Sequence, residues 1–237
     1  MNIAVISDIH GFSLALKSVL DDIDQVQGID RIIAAGDICE GGPDPVGALA
    51  LLQARGIWSV QGNTDRDLVA GTRTSASARW VAEQLGPQRL DFLGSLPFAL
   101  RITPTGGHSL DDDLLVVHAN PFDQDRHIHP GALDPELDDL IGDTRAAVIA
   151  FGHLHFAFRR RWREIDLVNV SSVGNSRDGD LRSKWGLCSW DQATRRWTTE
   201  LRYVEYPLAS TLDQMRQSGM PNWEKAAERL QRATYGE

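Results

Sequence analysis

The sequence predicts an α/β fold in which parallel strands alternate with helices. Five short runs are almost continuously apolar, which suits strands covered on both faces. Helical periodicity fills the gaps between the first three runs, and this alternation implies right-handed crossovers. A length of 237 residues is enough for one full-sized core, so we treat residues 1–237 as a single domain. The five runs are 3–6, 31–35, 58–60, 114–117 and 147–151.

Two helices are expected between the first three runs. The first is indicated by a stripe of apolar residues at helical spacing, made of Phe12, Leu16, Val19, Leu20, Ile23 and Val26. The second has a start and a stop signal. Asp44 can cap it, Pro45 suits its first turn, and Gly56 lies just beyond its end.

The remainder of the chain is expected to hold three further segments. Residues 65–97 are rich in Ala, Ser, Thr and Arg and predict a helical insertion that overhangs the site. Four further segments look like consecutive strands with short connections and predict a β-meander or hairpin arrangement that forms the second sheet. They are 156–161, 165–170, 185–190 and 196–204. The tail, 207–237, predicts two short helices, the second starting at Pro221 or Asn222.

Composition and charge narrow the classes of function. The formal net charge is −9, which argues against binding extended nucleic acid but not against a small anionic substrate beside metal ions. The two cysteines form no CxxC pair and predict no disulfide framework. The first apolar run is too short for a secretory signal, and no stretch approaches the ~18 apolar residues of a membrane span. We therefore expect a cytoplasmic protein with no membrane partner.

Polar motifs follow each of the five apolar runs. They are Asp8-Ile9-His10, Gly36-Asp37, Gly62-Asn63-Thr64-Asp65, His118 and Gly152-His153-Leu154-His155. The carboxyl ends of parallel strands share one sheet edge, so these side chains are expected to converge. A Gly-Asp pair alone carries little information, since Gly142-Asp143 and Gly179-Asp180 also occur. Five motifs in a fixed order at strand ends indicate a built site.

The converging side chains are two carboxylates, one amide and four imidazoles. These oxygen and nitrogen donors suit a pair of divalent cations such as Mn²⁺, Fe²⁺ or Zn²⁺. Asp37 is the natural bridge between two ions, because it follows a central strand. The glycines before Asp37, Asn63 and His153 are expected to let the backbone pass close to an ion.

The ordered set resembles the signature D-x-H, G-D, G-N-H-[DE], H and G-H-x-H of the calcineurin-like metallophosphoesterase superfamily. The resemblance covers about residues 1–175 and is greatest to the compact bacterial and archaeal branch of phosphodiesterases and dinucleoside-polyphosphate hydrolases. Residues 169–174 are similar to that branch's N-P-G-S-V-G stretch, with Val170 and Ser171 replacing Pro and Gly. The resemblance implies a four-layer α-β-β-α sandwich with two central sheets.

The same resemblance implies how the metals are held. Asp8, His10, Asp37 and His155 would hold one ion. Asp37, Asn63, His118 and His153 would hold the other. Mn²⁺ is the first expectation, with Fe²⁺, Zn²⁺, Ni²⁺ and Co²⁺ as alternatives.

The expected reaction is hydrolysis of a phosphate ester or anhydride in a small phosphorylated or nucleotide-like substrate. Two ions would activate a bridging water, with Asp37, Asn63 and His118 as catalytic residues. The alternatives are a dinucleoside-polyphosphate hydrolase, a protein Ser/Thr phosphatase and a non-catalytic metal-binding scaffold. The complete ligand set disfavours the scaffold, and the sequence does not specify an oligomeric state.

Thr64 departs from the superfamily pattern, which usually has His at this position. A threonine hydroxyl can donate a hydrogen bond but cannot supply a proton near neutral pH as imidazole does. We therefore expect a preference for diesters, anhydrides or activated esters, or another acid such as His127 or His129. The candidate substrate-binding residues are Thr64, Arg66, Arg126 and His127.

Overall fold

The computed structural model describes residues 1–234, which form two five-stranded mixed sheets and seven α-helices. The strands are β1 (Asn2–Ile6), β2 (Arg31–Ala34), β3 (Trp58–Ser59), β4 (Ala99–Ile102), β5 (Leu114–Val117), β6 (Val148–Phe151), β7 (Phe158–Trp162), β8 (Ile165–Asn169), β9 (Ser183–Asp191) and β10 (Arg196–Val204). The helices are α1 (Ser13–Asp24), α2 (Pro45–Ala54), α3 (Asn63–Ala70), α4 (Ala76–Gly94), α5 (Asp134–Ile141), α6 (Leu208–Gln217) and α7 (Trp223–Arg232).

The two sheets pack face to face between helical layers. The first has the order β10-β9-β1-β2-β3, and the second has the order β4-β5-β6-β8-β7. One apolar cluster lies between them and joins residues such as Val5 and Ile33 to Val116 and Val148. A second cluster packs α1, α2, α4, α6 and α7 on the first sheet, and a third packs α5 on the second. The predicted α-β-β-α sandwich with two central sheets is confirmed.

Parallel pairing at the centre of each sheet aims the functional loops. β1 pairs in parallel with β2, and β2 with β3. β5 pairs in parallel with β6, and β6 with β8. The carboxyl ends of β1, β2, β3, β5 and β6 therefore face one end of the sandwich. The five predicted apolar runs are these five strands.

The predicted hairpin arrangement is present, but the expectation that all four strands form the second sheet is wrong. The hairpin β7–β8 joins β6 in the second sheet, whereas the hairpin β9–β10 joins β1 in the first. Alternation along a strand indicates that one face is buried but not which sheet buries it. β4 and α5 were also absent from the sequence prediction.

The two helical segments of the sequence prediction contain helices where expected. Residues 65–97 include most of α3 and α4, and α4 is broken at Gly86, which has φ 67° and precedes Pro87. The tail contains α6 and α7, and Asn222 directly precedes α7 with φ 57°. The rest of the predicted tail, 235–237, lies outside the described residues. Treating residues 1–237 as one domain stays a prediction. Within residues 1–234, no helix combines the length and apolar character needed to cross a bilayer.

Candidate metal centre

The structure gathers all seven predicted donor side chains at the carboxyl ends of the five central strands. Two overlapping groups have ligand atoms within 4.8 Å of one another. The first group is Asp8, His10 and His155, and the second is Asp8, Asp37 and His118. Asn63 and His153 complete the arrangement through their contacts with His118.

Asp8 is the centre of the first group. Its Oδ1 lies 3.0 Å from His155 Nε2, and His155 Nε2 lies 3.1 Å from His10 Nε2. Oδ2 accepts hydrogen bonds from Ser7 Oγ at 2.7 Å and from the His153 amide at 2.8 Å. Oδ1 is buried without a hydrogen-bond partner among residues 1–234. A buried carboxylate oxygen without a donor fits an arrangement completed by a cation.

Asp37 lies between the two groups. Its Oδ2 is 3.7 Å from His10 Nε2, and its Oδ1 is 3.5 Å from His118 Nε2. His118 Nε2 in turn lies 3.0 Å from Asn63 Oδ1 and 3.1 Å from His153 Nδ1. One carboxylate thus presents an oxygen to each set of donors, which is the geometry a bridging ligand needs.

Backbone carbonyl groups fix the tautomers of all four imidazoles. His10 Nδ1 lies 2.5 Å from Glu40 O, and His118 Nδ1 lies 2.8 Å from Ala35 O. His155 Nδ1 lies 2.6 Å from Asn175 O, and His153 Nε2 lies 2.7 Å from Asp125 O. A carbonyl oxygen only accepts, so each of these ring nitrogens must donate. In the neutral rings the opposite nitrogens then carry lone pairs that point inward, as metal-ligating imidazoles require.

The inward lone pairs face each other in two close pairs. The nitrogens of His10 and His155 are 3.1 Å apart, as are those of His118 and His153. Two lone pairs at this distance repel unless a positive charge lies beside them. Burial favours the neutral ring of His10, but the neighbouring carboxylates of Asp8 and Asp37 raise its pKa to about 9. The chemistry of the donor set therefore fits divalent cations.

Five of the predicted ligands have backbone dihedrals that side chains other than glycine seldom adopt. The φ angles are 51° at Asp8, 51° at His10, 54° at Asp37, 66° at His153 and 56° at His155. Left-handed backbone costs on the order of 1–3 kcal/mol per residue and concentrates at functional sites. The residue pattern did not predict this backbone strain.

Glycines let the motifs pack against one another. A Cβ on Gly152 would lie 2.0 Å from Ser7 Oγ and 2.1 Å from Asp8 Oδ2. A Cβ on Gly62 would lie 2.1 Å from Asp37 Oδ1. These glycines make room for the carboxylates of neighbouring motifs, which refines the expectation that they leave room beside an ion.

Asp65 positions the bridging residue, a role that sequence reasoning missed. Its carboxylate accepts hydrogen bonds from the backbone amides of Asp37 at 2.9 Å, Ile38 at 3.0 Å and Gly62 at 3.0 Å. Burial, with the nearby charge of Asp37, raises the pKa of Asp65 to about 7. Its place in the third motif was the available signal.

Residues 169–174 hold the backbone of two metal motifs by hydrogen bonds, which is the second role that sequence reasoning missed. Asn169 Nδ2 donates to Gly152 O at 2.8 Å, and Ser172 Oγ donates to Asp8 O at 2.7 Å. Ser172 Oγ also accepts from the Asn175 amide at 2.8 Å, next to the carbonyl that faces His155. These polar groups connect the first and last metal motifs.

The family is shown by a match over most of the chain. The model of the calcineurin-like phosphoesterase superfamily domain matches residues 1–188. The chain belongs to this superfamily. It is therefore a metal-dependent phosphoester hydrolase by family, and the site described above is where the superfamily's metal motifs converge.

Relatives of this phosphoesterase occur in archaea and bacteria. It is 27% identical to an uncharacterized protein of Methanocaldococcus jannaschii, over 93% of this chain and 94% of the relative. It is similar in structure to a metallophosphoesterase of Sphaerobacter thermophilus, with TM-score 0.79, 25% identity and 99% coverage of both chains. A hypothetical protein of Pyrococcus horikoshii shares the fold, with TM-score 0.83, 16% identity and 99% coverage of both chains.

The four candidate substrate-binding residues of the phosphoesterase lie in different surroundings. Thr64 is buried beside the metal motifs, and its Oγ1 has no hydrogen-bond partner within residues 1–234. The ring of His127 lies 6.1 Å from that of His153, between centroids. Arg66 forms a fork to Asp125, at 2.9 and 3.1 Å, and also pairs with Asp67. Arg126 pairs with exposed Asp139. Their roles toward substrate stay predictions.

Proposed function

We propose that the protein hydrolyses phosphodiester or phosphoanhydride bonds in small phosphorylated compounds with two divalent ions. The observation that carries this proposal is the inward orientation of four imidazoles, each held by a backbone carbonyl, around a carboxylate that faces both groups. Asp8, His10, Asp37 and His155 would hold one ion. Asp37, Asn63, His118 and His153 would hold the other. Mixed nitrogen and oxygen donors favour Mn²⁺, Fe²⁺ or Zn²⁺ over Mg²⁺ or Ca²⁺.

The ions, when bound, supply Lewis-acid charge and lower the pKa of water. The protein's own contribution is to hold the donors before substrate arrives. Asp65 fixes the backbone of Asp37 through two amides, and the carbonyls of Ala35 and Asn175 fix the rings of His118 and His155. Such preorganisation avoids rearrangement during the reaction and supports charge stabilisation in the transition state.

Thr64 sets the proposed preference among leaving groups. Thr64 lines the cavity that opens beside the predicted metal ligands, and its Oγ1 is buried without a hydrogen-bond partner within residues 1–234. It does not protonate a departing alkoxide near neutral pH. Aryl esters, diesters with stable leaving groups and anhydrides need little protonation, so they are the proposed substrates. A higher rate on an alkyl monoester than on a diester or anhydride contradicts this assignment.

The test begins with protein stripped of metal and reloaded separately with Mn²⁺, Fe²⁺, Zn²⁺ or Mg²⁺. Each form is assayed on an aryl diester, an aryl monoester, a dinucleoside tetraphosphate and a phosphopeptide, and metal content is measured. We expect two ions per chain and turnover of the diester or the anhydride. Asp37→Ala should lower every rate by at least about 10²–10³-fold, because both donor sets lose an oxygen.

Asp213→Ala is the matched control, because it removes an exposed carboxylate that pairs with Arg216 on the surface of α6. Its rates and metal content should equal those of the unmodified protein. Retention of both metal content and turnover in Asp37→Ala would show that the chemistry lies elsewhere.

A further inference from the structure

The metal centre opens into a cavity whose other walls come from distant parts of the chain. The cavity has a volume of about 600 Å³, within the range of sites that bind small molecules. His10, Asp37, Asn63, His153 and His155 line it on the metal side. The facing residues include members of α7 and of the segment between α3 and α4.

The charge of this cavity differs from that of the whole chain. Four basic residues, Arg73, Arg177, Lys225 and Arg229, line it, and besides Asp37 the one carboxylate among the lining residues is that of Glu40. The chain as a whole has 24 basic and 33 acidic residues. Arg73 pairs with Glu40 at 2.8 Å, so these two charges offset each other. Lys225 and Arg229 place two further positive charges on the wall that α7 forms.

Lys225 and Arg229 are the exposed members of that wall and lie one turn apart on α7. Neither forms an ion pair or a side-chain hydrogen bond with the described residues 1–234. Their charges are therefore available to a ligand in the cavity.

The position of α7 is fixed by its opposite side. Ala227 and Leu230 are buried in the core cluster that covers the first sheet. Beyond the helix, Ala233 O accepts from the Gly179 amide at 2.8 Å, and Thr234 bridges to Asp178. Lys225 and Arg229 are thus presented from an anchored helix rather than from a loose tail.

We propose that Lys225 and Arg229 form a second phosphate subsite, which selects substrates with at least two phosphate groups. This inference rests on the proposed function, in which the metal side of the cavity holds the phosphoryl group that is cleaved. On the α7 side, the ammonium group of Lys225 and the guanidinium group of Arg229 then bind a further phosphate. Phosphoanhydrides such as nucleoside polyphosphates fit both this subsite and the leaving-group preference set by Thr64.

The test measures binding separately from turnover. Isothermal titration calorimetry on metal-loaded protein, with free metal held constant, compares inorganic phosphate with imidodiphosphate, a pyrophosphate analogue. Lys225→Gln combined with Arg229→Gln should weaken imidodiphosphate binding by about tenfold or more, since an exposed charge contact contributes up to roughly fivefold. Phosphate binding should change less than about twofold.

Arg232→Gln is the matched control, because Arg232 ends the same helix but does not line the cavity. It should leave both affinities unchanged. Steady-state assays add that the double variant raises KM for a dinucleoside tetraphosphate, while kcat and KM for an aryl diester stay constant.

The outcomes separate the two proposals. Failure to turn over any phosphate ester would defeat the proposed function, while calorimetry would still report on the subsite. Equal weakening of phosphate and imidodiphosphate, no weakening of either, or no binding of imidodiphosphate by the unmodified protein would overturn the second subsite.

Discussion

Lys184 in β9 allows a direct test of how a buried charge stabilises this fold. Its side chain is 0% exposed, and Nζ donates to Asp178 Oδ1 at 2.9 Å and to Ser176 Oγ at 3.0 Å. The carbonyl oxygens of Asp180 at 2.9 Å and Arg182 at 3.1 Å complete its surroundings. Lys184→Met keeps an unbranched apolar side chain, one heavy atom shorter, and removes the charge and every donor.

The expected cost follows from what is left behind. Asp178 has a side-chain exposure of only 10%, so its carboxylate would lose its cation in a place that water hardly reaches. Breaking a buried pair by removing one partner costs about 3–5 kcal/mol, and the slight exposure of Asp178 favours the lower half of that range. For a chain of this size, a loss of about 3–4 kcal/mol lowers Tm by roughly 6–16 °C.

Urea and thermal denaturation of metal-free protein measure this loss without a contribution from bound ions. Lys17→Met is the matched control, because Lys17 pairs with Asp21 on the surface of α1 with side-chain exposures of 62% and 60%. It should cost at most about 0.5 kcal/mol. Adding Asp178→Asn to Lys184→Met should recover part of the loss. A Lys184→Met protein within about 1 kcal/mol of the unmodified chain would refute the reasoning.

Three further predictions concern the metal centre. Gly152→Ala places a methyl group 2.1 Å from Asp8 Oδ2, so metal content and turnover should fall together while circular dichroism is retained; full metal content would contradict this. Thr64→His should raise the ratio of alkyl monoester to diester turnover by at least about tenfold, since general acid catalysis contributes 10²–10⁴-fold; an unchanged ratio counts against the assigned role. Chelation should lower Tm, because each ion at a hundred times its Kd contributes about 2.7 kcal/mol; identical melting curves with and without chelator would show that the folded protein binds no ion.

The sequence indicated where the motifs converge because each motif follows a central strand, as Asp8 follows β1 and His118 follows β5. Parallel pairing of the central strands then converts positions along the chain into neighbours in space. The sequence pattern did not predict in the same way which of the two sheets β9 joins. Its pairing with β1 places Gly186 opposite Val5, where a Cβ would lie 2.6 Å from Val170 Cγ1. Tertiary packing decides such a fit, and the periodicity of apolar residues in the sequence does not reveal it.

The supporting groups of the site were also beyond the reach of the residue pattern. The carbonyls of Glu40 and Asn175 that orient His10 and His155 belong to the backbone, which any residue type could supply. The left-handed φ angles of the ligands arise because surrounding contacts impose them, and Asp or His in a loop gives no sign of it. The convergence of these side chains was therefore predictable, whereas their orientation was not.

The short connection from Asn175 to Asp180 links the metal centre mechanically to α7. Asn175 O holds the ring of His155, and the Arg177 amide donates to His155 O at 2.9 Å. A few residues later, Gly179 donates a hydrogen bond to Ala233 beyond α7, and Asp178 forms a β-bridge with Thr234. The helix that presents Lys225 and Arg229 therefore also supports the position of His155, some 70 residues earlier in the chain. Deleting or replacing α7 should remove two cations and also weaken the support of His155. Metal affinity and substrate preference should therefore change together.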